Sequence, residues 1–68
     1  MAAKIECTEF STYKGFYDNK LDTRKNTLKK VNKFLAEYNI SDVINIVEDW
    51  DVSKNNFTII VYYKIEEN

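Results

Sequence analysis

The sequence predicts one small α+β domain in which a single helix lies on one face of a three-stranded sheet. Residues 57–65 alternate at period two, with apolar residues throughout one face and on half of the other, which indicates a central strand. Residues 22–38 carry apolar residues at helical spacing, and residues 42–52 alternate again. Sixty-eight residues leave room for one domain, residues 1–68.

The chain is predicted to begin with a strand over residues 4–10 and a loop over residues 11–21. Charged and polar residues occupy one side of this strand, which is typical of a sheet edge, while Ile5 and Cys7 occupy the inward side. Phe10 interrupts the alternation and indicates a bulge or the end of the strand. The loop lacks a clear period and is long for so small a domain, which favours a functional role.

The helix is predicted over residues 22–38, with Asp22 or Thr23 as the N-cap residue that accepts a hydrogen bond from the first turn. Asn39 suits the left-handed position that ends many helices, and Ile40 can then pack back onto the last turn. The apolar stripe contains Leu28, Val31, Phe34, Leu35 and Tyr38.

Residues 42–52 and 57–65 are predicted to form a hairpin around a turn at residues 53–56. The register pairs apolar residues on one face: Val52 with Phe57, Trp50 with Ile59, Ile46 with Tyr63, and Ile44 with Ile65. A right-handed crossover makes the first two strands parallel, and the third strand fits between them. The expected architecture is a mixed three-stranded sheet of order 2-3-1.

Charge is unevenly distributed, although the chain as a whole carries −1. Residues 20–33 contain six basic residues and one acid, whereas residues 40–68 contain six acids and two basic residues. A lysine-rich helix can contact phosphates, but the net negative charge argues against a direct nucleic-acid-binding protein. The acidic run 48–51 predicts either a docking edge for a basic partner or an edge strand whose charges block edge-to-edge association. A weak divalent-metal site is disfavoured, because the pleat of a strand places Glu48 opposite Asp49 and Asp51 and scatters the oxygen ligands.

The residue inventory argues against an enzyme. The chain has no histidine, the usual general base near neutral pH, and it has no glycine-rich phosphate loop or nucleophile motif. Cys7 is the one cysteine, and its predicted inward position favours a structural role. We therefore expect no catalytic residue, no metal site and no cofactor.

The loop of residues 10–21 is the first candidate binding site. Its aromatic residues interleave with lysines, a combination that can stack on a ring and hold a phosphate. Alternatively, the aromatic residues fold back and extend the small core. The candidate ligand- or partner-binding residues are Tyr13, Lys14, Phe16, Tyr17 and Lys20.

The sheet face opposite the helix is the second candidate surface. One helix cannot cover both faces, and an uncovered apolar patch commonly marks a protein interface. A domain of this size has a thin margin of stability, for which oligomerisation is a common remedy. We expect a homo-oligomer interface formed by Val43, Val47, Ile60 and Tyr62.

Three segments resemble a known group of proteins: Leu-Lys-Lys-Val-Asn-Lys-Phe-Leu (28–35), Val-Ile-Asn-Ile (43–46) and Ile-Ile-Val-Tyr-Tyr-Lys (59–64). They are similar to the short, uncharacterised sporulation-associated proteins of Bacillus and their phage or plasmid relatives. The resemblance covers residues 28–64 and implies a cytoplasmic β-α-β-β accessory protein, with no catalytic or binding residue carried over. The aromatic loop departs from that group.

Two hypotheses of function follow. The first is a small non-enzymatic cytoplasmic protein that self-associates through the open sheet face and binds a host or partner protein, as a phage or mobile-element inhibitor would. The alternative is an oligomeric sequestering protein that binds a nucleotide-like small molecule through the loop of residues 10–21. No apolar run approaches the roughly 18 residues of a membrane helix, so we expect no membrane association. A lone cysteine also suits a reducing cytoplasm.

Overall fold

The computed structural model describes residues 2–67 and has the predicted order of elements. The elements are β1 (Ala2–Tyr13), α1 (Lys20–Glu37), β2 (Val43–Asp51) and β3 (Asn56–Glu67). The predicted α+β class and strand order are confirmed, since β3 lies between β1 and β2. The expected mixed sheet is wrong in one respect. β1 and β2 run parallel to each other, but β3 separates them, so both pairings between described strands are antiparallel.

The core lies between α1 and the predicted apolar face of β3. Phe57, Ile59 and Val61 are fully buried there, and Tyr63 is nearly so. Val31 is the buried apolar residue of the helix, and its neighbours in the stripe pack around it. The period-two pattern of β3 therefore identified the face that the helix covers.

α1 packs over β1 and β3 and leaves β2 uncovered. A helix is about 10 Å wide and adjacent strands lie about 4.8 Å apart, so one helix covers about two strands. Ile44 and Ile46, which the sequence assigned to the buried face, are consequently about half exposed. The domain is thin as a result, with extents of 48 × 21 × 13 Å.

The side of β1 that faces the helix is the opposite of the predicted one. Phe10 lies opposite Ile59 and packs against the core, with no bulge at that position, whereas Cys7 lies opposite Tyr62 and is exposed. The large apolar surface of Phe10 outweighs that of the smaller Cys7, so the strand turns Phe10 inward. The polar residues on the same side are accommodated by hydrogen bonds, as between Thr8 Oγ1 and the Tyr63 hydroxyl at 3.1 Å.

The hairpin register is two positions away from the predicted one. Trp50 lies opposite Phe57 and Asp51 opposite Asn56, so the turn comprises residues 52–55. Asn55 takes the left-handed conformation that the turn requires, with φ of 53°. A shift of two residues keeps each side chain from Asp51 back to Asn45 on its predicted face. A bulge at Ile44 then changes the register, so that Val43 lies on the other face.

The two ends of α1 show one wrong and one confirmed prediction. The helix begins at Lys20, and its N-cap is Asn19, whose Oδ1 accepts the Asp22 N–H at 2.7 Å. Neither Asp22 nor Thr23 is therefore the cap. At the other end Asn39 is left-handed, and the Ile40 N–H donates to the Leu35 carbonyl at 2.9 Å, as the predicted stop requires.

Replacing Asn19 with alanine should lower the free energy of unfolding by about 1 kcal/mol, because the first-turn N–H groups lose their side-chain acceptor. Chemical denaturation followed by circular dichroism measures this loss. Asn26→Ala is the matched control, since Asn26 is exposed inside the helix, where alanine has the higher propensity. Equal destabilisation by both substitutions would contradict the assigned cap.

Candidate binding surfaces

The connection between β1 and α1 presents two aromatic side chains at the tip of a closed turn. The Asp18 N–H donates to the Gly15 carbonyl at 3.1 Å, and the Asp18 carboxylate accepts the Gly15 N–H at 2.8 Å. Phe16 and Tyr17, hereafter the aromatic tip, occupy the two central positions of this turn. Their rings lie edge to face with centroids 5.0 Å apart.

The aromatic tip is almost completely exposed, with Phe16 at 89% and Tyr17 at 96%. Neither side chain extends the core, which rules out that alternative for these two residues. Of the aromatic residues in the predicted loop, Phe10 does pack against the core, because it belongs to β1. Its ring centroid lies 5.3 Å from that of Phe34, with the two rings tilted. The ordered loop is shorter than predicted, since β1 continues to Tyr13 and α1 begins at Lys20.

The other predicted loop residues flank the aromatic tip along the chain. Tyr13 is the last residue of β1 and is exposed, and the Lys14 N–H continues the ladder by donating to the Asn55 carbonyl at 2.7 Å. The Lys20 ammonium lies 5.6 Å from the centroid of the Trp50 ring. The loop, the helix start and the β2–β3 turn therefore meet at one end of the domain.

The open sheet face holds three of the four predicted interface residues. Val47 lies opposite Ile60, and Tyr62 lies opposite Asn45 on one side and Cys7 on the other. Val43 lies beyond the bulge, opposite the buried Tyr63, so its assignment to the open face is wrong. Ile60 and Tyr62 are already half-buried by their neighbours. Self-association through this face stays a prediction.

The pleat separates Glu48 from the other acidic residues of β2, and both Glu48 and Asp51 have local hydrogen-bond partners. On the helix side, the Arg24 guanidinium contacts the Glu48 carboxylate through Nε at 2.6 Å and Nη2 at 3.2 Å. Hydrogen bonding between these two side chains lowers the pKa of Glu48 and raises the pKa of Arg24. On the other side, the Ser53 hydroxyl donates to Asp51 at 2.7 Å and lowers its pKa.

The Arg24–Glu48 pair predicts a small pH effect on stability. Because the folded-state pKa of Glu48 lies below its unfolded value, the stabilisation is complete above the unfolded pKa and disappears as the pH falls through the folded one. Glu48→Gln should lower stability slightly at pH 7 and by less in strong acid, since the pair is exposed and screened. Denaturation curves of the wild type and the variant at both pH values measure the loss of stability. A loss that is the same at both pH values would contradict the ion pair.

A cavity of about 340 Å³ lies at the opposite end of the domain, below the C-terminus of α1. Its walls are apolar and aromatic, with one carboxylate and no basic residue, so they do not suit an anionic, nucleotide-like ligand. The lining residues are Glu6, Phe34, Tyr38, Ile40, Tyr63 and Ile65. None of the predicted loop residues contributes to it.

The sequence reasoning missed one surface, the outer edge of β2. The alternation of β2 predicts that Ile44 and Ile46 are buried. One helix, however, covers only about two strands, so the third strand of the sheet stays exposed. The width of one helix, compared with that of three strands, was the feature of the sequence that could have indicated this exposed edge.

Within the described residues, no group of acidic or cysteine side chains could hold a metal ion. In the same part of the chain, the helix lacks the apolar character needed to cross a membrane.

No family model matches the chain, and comparison with curated proteins and with solved structures gave no match.

Proposed function

We propose that this chain is a non-enzymatic binding protein that contacts a partner protein through the aromatic tip. The observation that carries the proposal is the nearly complete exposure of Phe16 and Tyr17 on a turn closed by two hydrogen bonds. Exposing two neighbouring aromatic rings forgoes the burial that would otherwise stabilise a small domain. Aromatic residues on a rigid turn lose little conformational freedom on binding, which favours a contact role.

The tip also indicates what kind of surface it would bind. Two adjacent rings suit a concave apolar pocket, and the neighbouring Lys14 and Lys20 would meet carboxylates at its rim. We place the interaction in the cytoplasm, where the exposed Cys7 would remain a thiol. An inhibitory role adds the expectation that the partner loses activity when the tip is bound.

Affinity capture from a host-cell lysate tests the proposal. The wild-type protein is compared with the Phe16→Ala/Tyr17→Ala variant and with Tyr38→Ala, which removes an exposed aromatic residue from the far end of the helix. We expect a protein that is enriched by the wild type and by Tyr38→Ala and is lost from the double variant. If no protein shows this pattern, the proposal fails.

Native mass spectrometry separates this proposal from ligand sequestration. A mass increase of a few hundred daltons on the wild-type protein, absent from the Phe16→Ala/Tyr17→Ala variant, would favour a small ligand bound by the loop. The partner-binding proposal predicts no such increase.

A further inference from the structure

The two edges of the sheet differ in how their backbone groups are protected. The Lys64 N–H donates to the Asp42 carbonyl at 3.0 Å, which shows that even-numbered residues of β3 turn their backbone groups toward β2. By the same alternation, odd-numbered residues of β3 turn theirs toward β1, as the bond between Lys14 and Asn55 shows. The backbone groups that face outward on each edge strand follow from the register.

On β1 the outward-facing groups belong to odd-numbered residues, and the helix protects that edge. Ser11 lies opposite Thr58, an even-numbered residue, so the Ser11 carbonyl points away from β3. Lys30 of α1 reaches over the edge and donates to this carbonyl at 2.5 Å. A lysine bound across the edge obstructs the approach of another strand.

On β2 the outward-facing groups belong to Ile46, Glu48 and Trp50, because Asn45, Val47, Asp49 and Asp51 lie opposite the even-numbered residues of β3. The Ile46 N–H donates to the side-chain oxygen of Asn45 at 2.9 Å, so β3 does not engage it. Ile44, Ile46 and Val47 keep between 39% and 50% of their surface exposed. β2 is therefore an edge strand with exposed apolar residues in its first half, and the backbone of α1 does not pack over it.

The charges of β2 lie in one half of the strand. Residues 43–47 are uncharged, whereas residues 48–51 contain three acids. An antiparallel copy of the same strand, centred on Val47, places the acidic half of each strand against the uncharged half of the other. In this register Glu48 faces Ile46 and Asp49 faces Asn45, and the bulge at Ile44 ends the regular pairing before Asp51. If the pair were instead centred on Glu48, the two Glu48 carboxylates would lie directly opposite each other, and their repulsion would be unfavourable.

We propose that two copies of this chain pair through β2, antiparallel and in register at Val47, to form a continuous six-stranded sheet. The backbone groups of Ile46 in each copy then pair with those of Glu48 in the other copy, which gives four inter-strand hydrogen bonds about the two-fold axis. In each copy the Ile46 N–H exchanges its bond to the Asn45 side chain for one of these four. Glu48 is already held by Arg24 on the helix side, which lowers the repulsion between the copies. The acidic run then selects the register of the pair.

The pairing leaves room for both helices on one face of the sheet. Each helix lies over β1 and β3 of its own copy, so the two axes are separated by about four strand spacings, on the order of 19 Å. This exceeds the helix diameter of about 10 Å. The Val47 pair falls at a position without inter-strand hydrogen bonds, where opposite Cα atoms lie about 4.5 Å apart.

A cross-linking experiment tests the register. The exposed Cys7 is first replaced by serine, and a cysteine is introduced by Val47→Cys in one variant and by Asn45→Cys in the other. Opposite positions with Cα atoms about 4.5 Å apart can form a disulfide, whereas the two Asn45 positions are separated by about four residues of strand. We expect a disulfide-linked dimer from Val47→Cys and none from Asn45→Cys. The reverse pattern would overturn the register.

A backbone substitution tests the edge itself. Ile46→Pro removes an outward N–H without breaking the ladder to β3, and Ile46→Ala removes the side chain but keeps the N–H. Sedimentation velocity over a concentration series should show dimers for the wild type and Ile46→Ala, whereas Ile46→Pro should have a dimer dissociation constant that is roughly tenfold or more higher. Circular dichroism of Ile46→Pro checks that the fold is retained.

Two outcomes would overturn the proposal. One is a wild-type protein that stays monomeric at every concentration. The other is a dimer that survives Ile46→Pro but is lost in Ile60→Lys/Tyr62→Lys, which would assign the interface to the open sheet face. The Phe16→Ala/Tyr17→Ala variant should dimerise normally, because the aromatic tip is not part of β2. A failure of the pairing is thus distinguishable from a failure of partner binding.

Discussion

Replacing Ile59 with alanine should lower the free energy of unfolding by about 2–5 kcal/mol. The side chain is completely buried between β3 and α1, so its removal leaves a cavity at the centre of the core. Native domains are stable by only about 5–15 kcal/mol, so the variant should be close to unfolding at room temperature. Chemical denaturation followed by far-UV circular dichroism measures the loss.

Ile60→Ala is the matched control for this substitution. It removes the same atoms from the adjacent residue, but Ile60 lies on the open face and is only half-buried. The loss of stability should therefore be clearly smaller than for Ile59→Ala. If both variants lose the same free energy, the assignment of the two faces of β3 is wrong.

Replacing both residues of the aromatic tip with alanine should abolish partner binding without affecting the fold. Phe16 and Tyr17 contribute almost no buried surface to the domain, so stability should change by no more than about 0.5 kcal/mol. Aromatic residues at the centre of an interface typically contribute about 2 kcal/mol or more, which is roughly a thirtyfold change in affinity. Calorimetric titration of the captured partner measures this change.

Tyr38→Ala controls for the general loss of an exposed aromatic ring, because Tyr38 lies at the far end of α1. Its partner affinity should equal that of the wild type. A double tip variant that binds the partner as tightly as Tyr38→Ala would mean that the partner contacts another surface.

The parts of the fold that the sequence predicted well are those in which many residues agree. β3 has five apolar residues at alternate positions from Phe57 to Ile65, and no other assignment buries all of them. The C-terminal end of the helix combines Asn39, which tolerates positive φ, with Ile40 as the apolar residue that follows. Once these two elements are placed, the crossover rule makes β1 and β2 parallel and allows β3 to lie between them, as it does in the observed order β1-β3-β2.

The parts that the sequence could not decide are those in which two residues compete. Ile5 and Cys7 lie at odd positions of β1 and Phe10 lies at an even one, so the strand can bury one set or the other. In the hairpin, Asn55 and Asn56 are both tolerant of positive φ, and the choice between them shifts the register by two. Each choice depends on tertiary packing that periodicity does not contain.

The sequence proposed the residues of the candidate site but did not determine their geometry. Aromatic residues mixed with lysines indicated a binding loop, yet the sequence did not determine whether the rings pack inward. That outcome depends on the turn from Gly15 to Asp18, which holds Phe16 and Tyr17 away from the core. The exposed edge of β2 is not evident from the sequence, because alternating apolar residues occur both in strands that a helix covers and in strands that it does not.

Site-specific photo-cross-linking shows whether the aromatic tip contacts a partner protein. The photoreactive amino acid p-benzoylphenylalanine is introduced in place of Phe16, or in place of the exposed Lys29 on the outer face of α1 as a control. If the aromatic tip binds a partner, one cross-linked protein should appear at position 16 and be absent at position 29. The absence of a cross-linked protein at position 16, or the same cross-linked proteins at both positions, would contradict a binding role for the aromatic tip.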